Sequence, residues 1–203
     1  MTQAAKPAIQ EISGTRRPRV LWVDNDAPAR FPFEKRMIAA AGWETVFAAD
    51  VARAAGLLEH ERFDALILDQ MLAGSGGMDT HLVIWGGCRL LRWLRGTDGE
   101  LPLSPEEQQA FGVLGEHHPR EDNRVIPAII LSAYHNEKVL KETRDASAQD
   151  REIRFLVKPV DVRQLVAFLD DVRANVATIP VSRRGDGDGD DNDDGAGDSP
   201  PTP

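Results

Sequence analysis

The chain has 203 residues, of which 41% are hydrophobic and 28% charged, and its net charge is -9. This composition suits a water-soluble globular protein in the cytoplasm, and no apolar run approaches the roughly 20 residues that span a bilayer. The acidic balance disfavours direct nucleic-acid binding, because a phosphate-neutralising surface needs clustered Lys and Arg. A lone cysteine, Cys88, excludes an internal disulfide and a cysteine-based zinc site, so packing is its expected role.

Polar segments flank the region of regular patterning. Residues 1–18 have scattered Pro and Gly, lack the apolar block of a signal peptide and end near the basic pair Arg16 and Arg17, so we expect a flexible arm. An acidic tail at 178–203 is rich in Gly and Asp and has too few apolar residues to offset its ordering entropy, which predicts disorder. One domain is therefore expected at 19–177, with no effector domain after it.

Short apolar runs alternate with amphipathic segments within this domain, which is typical of repeated βα units and a parallel sheet. Continuous Val, Ile and Leu runs favour strands that are buried on both faces. Five strands are predicted, at 19–23, 44–48, 65–68, 128–131 and 154–157. The pattern indicates an α/β fold with a doubly wound, five-stranded parallel sheet.

Helical patterns lie between the predicted strands. The clearest covers 161–176, where Val and Leu recur at intervals of three and four after Asp161, a candidate N-cap. Others cover 52–59 and 87–95. The first helix is predicted to begin late or to kink, because Pro32 would remove a hydrogen bond from a helix already under way.

Two long connections enlarge the domain around the third helix. One, at 70–86, is rich in glycine, and the other spans 96–124. Connections of this length are usually functional or mobile. Within the second, Ser104 and the residues after it resemble a capping box and predict a short helix at 106–111. The adjacent His117 and His118 fit no metal-ligand spacing, so we expect an exposed loop there.

Polar side chains follow four of the predicted strands at the point where each strand ends. They are Asp24, Asn25 and Asp26 after the first strand, Asp69 after the third, Ser132 after the fourth and Lys158 after the fifth. Ligands in open α/β sheets bind outside the carboxyl ends of the strands, so these groups describe one pocket. Carboxylates, a hydroxyl and an amine are the groups that a cation and a phosphate would need.

In their order along the chain, these residues resemble the receiver domain of two-component response regulators, a flavodoxin-like fold. The resemblance implies that a histidine kinase or a phosphotransfer protein donates phosphate to Asp69 with the help of Mg²⁺. The implied Mg²⁺ ligands are Asp24, Asn25, Asp26, Asp69 and the backbone carbonyl of Met71. A hard cation held by oxygen ligands would offset the repulsion between a carboxylate and an anionic phosphoryl group.

The resemblance also implies how the remaining residues act. Lys158 and Ser132 would contact the phosphoryl oxygens and stabilise charge during transfer. Ser132 and Phe155 would then form a switch that alters the surface of the fourth helix, fifth strand and fifth helix, giving output through protein–protein interaction. The Lys158–Pro159 bond is expected to be cis. Such a domain is not a classical enzyme, although it can catalyse its own dephosphorylation.

Two departures from the receiver pattern leave alternatives open. Asn25 stands where a receiver usually has an acid, and the loop after Asp69 is extended and lacks the usual Pro. An uncharged amide is a weaker Mg²⁺ ligand, although the adjacent Asp26 could compensate. The alternative is a pseudo-receiver, which binds a partner without being phosphorylated. A doubly wound hydrolase with Asp69 as nucleophile is disfavoured, because Met71 stands where a second acid would be required.

Overall fold

Five short strands rich in Val, Ile and Leu lie side by side in one parallel sheet of the computed structural model. They are β1 (Arg19–Val23), β2 (Glu44–Ala48), β3 (Ala65–Asp69), β6 (Ala128–Ser132) and β7 (Ile153–Val157), in the order β2-β1-β3-β6-β7. The structure describes residues 16–26, 31–73, 82–83, 86–97, 108, 111–133 and 153–178. Two more strands, β4 (Leu72–Ala73) and β5 (Leu82–Val83), form a separate antiparallel pair that the sequence did not predict.

Four helices are described around the sheet. They are α1 (Pro32–Ala40), α2 (Val51–His60), α3 (Gly86–Arg95) and α4 (Val162–Thr178), and two short 3-10 helices follow α3 at Gly112–Glu116 and Glu121–Asn123. The predicted α/β fold and its five parallel strands are confirmed, with strand bounds within one residue of those expected. No helix in the described part of the chain is long and apolar enough to cross a membrane.

Side chains alternate between two cores because successive residues of a strand point to opposite faces. On β1, Leu21 and Val23 enter the core beneath α2 and α3, whereas Val20 and Trp22 enter the core beneath α1 and α4. All four side chains are fully buried. A strand that is covered on both faces needs apolar residues at every position, which explains the continuous apolar runs in the sequence.

The helix ends follow local chemistry. Pro32 is the first residue of α1, so the helix begins late, as the sequence allowed, and no internal hydrogen bond is lost. Asp50 caps α2 by accepting a hydrogen bond from the Arg53 amide at 2.7 Å. Asp161 similarly accepts from Arg163 at the start of α4, and Gly96, with a φ of 73°, ends α3.

Helices α1 and α4 pack on the same face of the sheet and are joined at one end. The guanidinium of Arg173, on α4, donates to the carbonyl of Ala41 at the end of α1 and lies 5.7 Å from the ring centre of Trp43. Trp43 is buried in the core beneath these helices. A cation at a helix C-terminus is favourable because the last carbonyls carry partial negative charge.

A segment at 111–126, which we call the docked segment, packs on α2 and α3. The buried Asn123 accepts a hydrogen bond from the Phe63 amide at 3.0 Å and donates to the carbonyls of Leu58 and Glu61, both at 2.8 Å. Apolar side chains of the segment join the core beneath α2 and α3; they are Phe111, Leu114 and Ile126. From the sequence, most of this region was predicted to be part of the long connection at 96–124.

Several predictions concern residues outside the described ranges. The predicted helix at 106–111 is described only at Gln108 and Phe111, both helical, and most of the arm and the tail lie outside. At the end of the arm, Arg16 pairs with Asp64 at 2.7 Å and Arg17 donates to the carbonyls at the end of α1. These last residues of the arm are therefore held against the domain.

Candidate functional site

Three charged side chains meet at the carboxyl end of the sheet. The ammonium of Lys158 lies 2.9 Å from a carboxylate oxygen of Asp69 and 3.1 Å from one of Asp24. Each residue follows or ends a different strand, and the parallel arrangement of β1, β3 and β7 brings those ends to one edge. The convergence expected from the sequence is therefore present for these three residues.

The site is buried and its charges do not balance. Asp24 is fully buried and Asp69 is 6% exposed, and two carboxylates face one ammonium. Burial raises the pKa of Asp69, since desolvation and the charge of Asp24 outweigh the opposing effect of Lys158. Burial alone would lower the pKa of Lys158, but its hydrogen bonds and the charges of the two carboxylates raise it. A surplus negative charge therefore remains beside Asp69 when both carboxylates are ionised.

The second oxygen of each carboxylate is oriented by a backbone amide. Asp24 accepts a hydrogen bond from the Asp26 amide at 2.9 Å, and Asp69 accepts one from the Met71 amide at 3.2 Å. Both are turns in which an Asp side chain binds the backbone two residues later. The carboxylates are thus held in place before any ligand binds.

Ser132 ends β6 and is 2% exposed. Its strand lies next to β3, with Leu131 opposite Asp69, and its carbonyl accepts a hydrogen bond from the Lys158 amide at 2.8 Å. Ser132 therefore lies at the same edge as the charged cluster. The Lys158–Pro159 bond is cis, as expected. Phe155, on β7, is partly buried against the core beneath α2 and α3, and its role as a switch stays a prediction.

The candidate metal ligands differ in their placement. Asp24 and Asp69 are buried, Asp26 and Met71 are partly buried, and Asn25 is exposed. In the ranges that the structure describes, no group of three or more His, Cys, Asp or Glu side chains is gathered into a metal site. The donor chemistry nevertheless suits a hard divalent cation, because two fixed carboxylates exceed the single ammonium by one negative charge.

Two glycines at the start of α3 shape the loop after Asp69, a role that was not predicted from the sequence. A Cβ at Gly87 would overlap the Asp69 carbonyl oxygen, and one at Gly86 would lie 2.7 Å from the Cβ of Leu72. The Gly87 amide also donates to the Gln70 carbonyl at 3.3 Å. Only glycine permits so close an approach of a helix start to a neighbouring backbone. Adjacent glycines at a predicted helix start were the available signal.

Cysteine and histidine predictions have mixed outcomes. Cys88 is buried in the core, as expected, and its thiol lies 3.4 Å from the side-chain oxygen of the buried Gln70. His118 is exposed, as expected of a loop, but the same expectation is wrong for His117. His117 is partly buried because its ring packs against α2, where Nδ1 lies 2.6 Å from the Glu59 carboxylate.

Comparison with solved structures identifies the fold. The receiver domain of a signal transduction histidine kinase from Syntrophus aciditrophicus has a TM-score of 0.54 and 20% identity, and the match covers 81% of this chain and 96% of that one. A Francisella response regulator receiver domain has a TM-score of 0.53 and 21% identity, with 78% and 98% covered.

A third solved structure, the signal receiver domain of an HD domain-containing protein from Pseudomonas fluorescens Pf-5, has a TM-score of 0.51 and 19% identity, with 81% and 100% covered. No family model and no curated protein matches the chain. The chain therefore has the fold of response regulator receiver domains, as the sequence indicated.

Proposed function

We propose that the protein is a phosphoacceptor receiver, in which Asp69 accepts a phosphoryl group from a histidine kinase or a phosphotransfer protein. The observation that carries this proposal is the contact of one ammonium, Lys158, with both Asp69 and Asp24 at the carboxyl end of a receiver-type sheet. Output then passes to another protein through a changed binding surface. The proposal is of a signalling domain, and not of an enzyme with a separate substrate.

In this proposal a carboxylate oxygen of Asp69 attacks the phosphorus of a phosphohistidine. The new O–P bond forms as the P–N bond breaks, and the electron pair of that bond returns to the imidazole, which takes up a proton. The Met71 amide fixes the other oxygen of Asp69 and so orients the nucleophile. Lys158, already 2.9 Å from Asp69, stabilises the charge on the transferred phosphoryl oxygens. Ser132 donates its hydroxyl to one of them.

When bound, Mg²⁺ would supply positive charge that offsets the repulsion between the carboxylates and the phosphoryl group. Asp24 and Asp69 would hold it, together with the Met71 carbonyl. Of the two residues that follow Asp24, Asp26 would supply the further acidic side chain, because it is partly buried beside Asp24, whereas Asn25 is exposed and uncharged. A charged neighbour thereby compensates for the amide at position 25.

The test is the formation of an aspartyl phosphate. The full chain is incubated with Mg²⁺ and a small phosphodonor such as acetyl phosphate, and its intact mass is compared with that of Asp69→Asn. We expect a phosphate adduct on the wild type, none on Asp69→Asn and none when a chelator removes Mg²⁺. An adduct that persists in the variant would place the phosphate elsewhere and refute the role of Asp69.

A second candidate is the pseudo-receiver. It is favoured by the exposed Asn25 and by the existing pairing of Lys158 with both carboxylates, which could serve the fold alone. Complete absence of an Asp69-dependent adduct, with a chain shown to be folded by circular dichroism, would select it. Asp26→Asn distinguishes the two further, because loss of this acid should weaken Mg²⁺ binding only if the site uses the cation.

A further inference from the structure

The first turn of α3 touches the backbone that follows Asp69. Gly86 and Gly87 lie so close to this backbone that a Cβ at either position would collide with Leu72 or with the Asp69 carbonyl. Leu72 is itself fully buried. Backbone packed this tightly has no free space to absorb a shift, so a movement of the peptide after Asp69 must displace the start of α3.

The last turns of the same helix hold the docked segment. The indole nitrogen of Trp93 donates to the Leu114 carbonyl at 2.9 Å. Arg95 donates to the Ile126 carbonyl at 2.6 Å and also to the carbonyl of Arg124. An α-helix of 10 residues is about 15 Å long and moves largely as one body. Helix α3 thus contacts the backbone that follows Asp69 at one end and the docked segment at the other.

The docked segment also bears on α2 and leads into the strand that carries Ser132. On α2, the Arg120 amide donates to the Leu58 carbonyl at 3.1 Å, and His117 binds Glu59. Val125, at the end of the segment, is 74% exposed although its neighbour Ile126 is buried. A tilt of α3 would therefore move the hydrogen bonds between the docked segment and α2 together with the exposed side chain of Val125.

We propose that α3 couples Asp69 to the docked segment, so that a phosphoryl group on Asp69 changes how tightly residues 111–126 are held on α2 and α3. The proposal rests on the proposed function and adds an output surface to it. The physical requirement is a phosphoryl group that interacts differently with two arrangements of the backbone after Asp69, because only a differential interaction shifts an equilibrium.

Hydrogen exchange measured by mass spectrometry tests the coupling on the full chain. Wild type and Asp69→Asn are each incubated with Mg²⁺ and acetyl phosphate, with intact mass recorded in parallel. We expect a several-fold change in exchange across 111–126 in phosphorylated wild type, and none in Asp69→Asn. Peptides from α1 serve as the internal control for global stability, because this helix belongs neither to the docked segment nor to the surface that the switch is expected to alter.

The variant Trp93→Phe combined with Arg95→Met removes the side-chain bonds to the docked segment and leaves the charged cluster intact. It should still gain the phosphate adduct, but the exchange change in 111–126 should be lost. If wild type gains the adduct and exchange in 111–126 stays that of the unphosphorylated chain, the coupling is refuted while the proposed function stands.

A second arm does not depend on phosphate. Gly87→Ala pushes the start of α3 away from the Asp69 carbonyl, and it should raise exchange in 111–126 more than in α1. Gly112→Ala is the matched control, because a Cβ there meets nothing within 4 Å. If no adduct forms on wild type, the proposed function fails, and this arm alone decides the coupling: equal exchange in Gly87→Ala and wild type refutes it.

Discussion

The charged groups at the two ends of the central sheet differ in their exposure to water. At the amino end, Arg16 pairs with Asp64 at 2.7 Å and Arg19 pairs with Glu61 at 2.6 Å, with the arginine heads reaching solvent. At the carboxyl end, Lys158 faces two carboxylates in a cluster that is largely closed to water. Exposed pairs tolerate the loss of a partner, because water replaces it. A buried cluster with surplus charge does not tolerate the loss of a partner in this way. Such an imbalance is typical of sites that receive another charged group.

Removing the ammonium should therefore have the largest effect. Lys158→Met leaves Asp24 and Asp69 buried together without a cation, and breaking a buried pair in this way costs about 3 kcal/mol of unfolding free energy. Urea denaturation with a chelator present measures the loss. Mg²⁺ added back should recover part of it, since a cation would again separate the two carboxylates. A loss below about 1 kcal/mol, the range of exposed pairs, would contradict the contrast between the two ends.

The buried side-chain amide of Asn123 extends this comparison, because it lies near the amino end of the sheet and carries no charge. Asn123→Ala leaves the Phe63 amide and the carbonyls of Leu58 and Glu61 without their side-chain partner. We expect a loss of about 2 kcal/mol, since buried polar groups left unpaired cost about 1–3 kcal/mol. Asp122→Ala, which removes a partly exposed pair with Arg120 next to it, is the control and should change little. Equal losses in both variants would show that burial does not determine the cost of removing a partner.

The pH dependence of stability tests the charge state of the carboxyl end. Because the pKa of Asp69 is raised above its ordinary value of 3.8, the folded protein binds this proton more tightly than the unfolded chain. The stability that this tighter proton binding contributes is present at low pH, and it is lost as the pH rises from the ordinary pKa of Asp69 through the raised one. The slope is at most about 1.4 kcal/mol per pH unit.

Asp69→Asn should lack this slope and become the more stable protein above the window. Free energies of unfolding measured for both proteins from acidic to neutral pH provide the check, again with a chelator present. Parallel curves would mean that Asp69 is not desolvated in solution.

The smallest effect is expected at the exposed amino end. Arg16→Ala removes an ion pair whose arginine is 42% exposed, and we expect a loss of about 0.5 kcal/mol that shrinks further in high salt. Thermal unfolding at low and high ionic strength measures it. A larger, salt-independent loss would indicate that the arm contributes packing as well as charge.

The strands and the charged cluster could be predicted because both depend on local sequence. Each strand is a continuous apolar run, and Asp24, Asp69 and Lys158 each follow or end one, so the topology of a parallel sheet brings them together without further information. The late start of α1 at Pro32 followed from a similarly local rule, whereas the cis bond before Pro159 was expected from the resemblance to receiver domains.

The docked segment could not be predicted, for the opposite reason. Asn123 binds backbone groups about 60 residues away, and a single polar side chain leaves no periodic trace of such a bond in the sequence. The role of Gly87 depends on the distance to the Asp69 carbonyl, which exists only after the helix has packed. The pair of short strands β4 and β5 has two residues each, too few to show an alternating pattern.

The link between Arg173 and the end of α1 has a consequence for how the polypeptide is made. Synthesis on the ribosome delivers α1 early and α4 late, yet both cover the same face of the sheet. Until α4 emerges, Trp22, Trp43 and the other apolar side chains of that face are covered only in part, by α1. A nascent chain halted before α4 should therefore bind chaperones and not form a native domain. Completion of α4 is thus the step at which the newly made chain can first bury the core beneath α1 and α4.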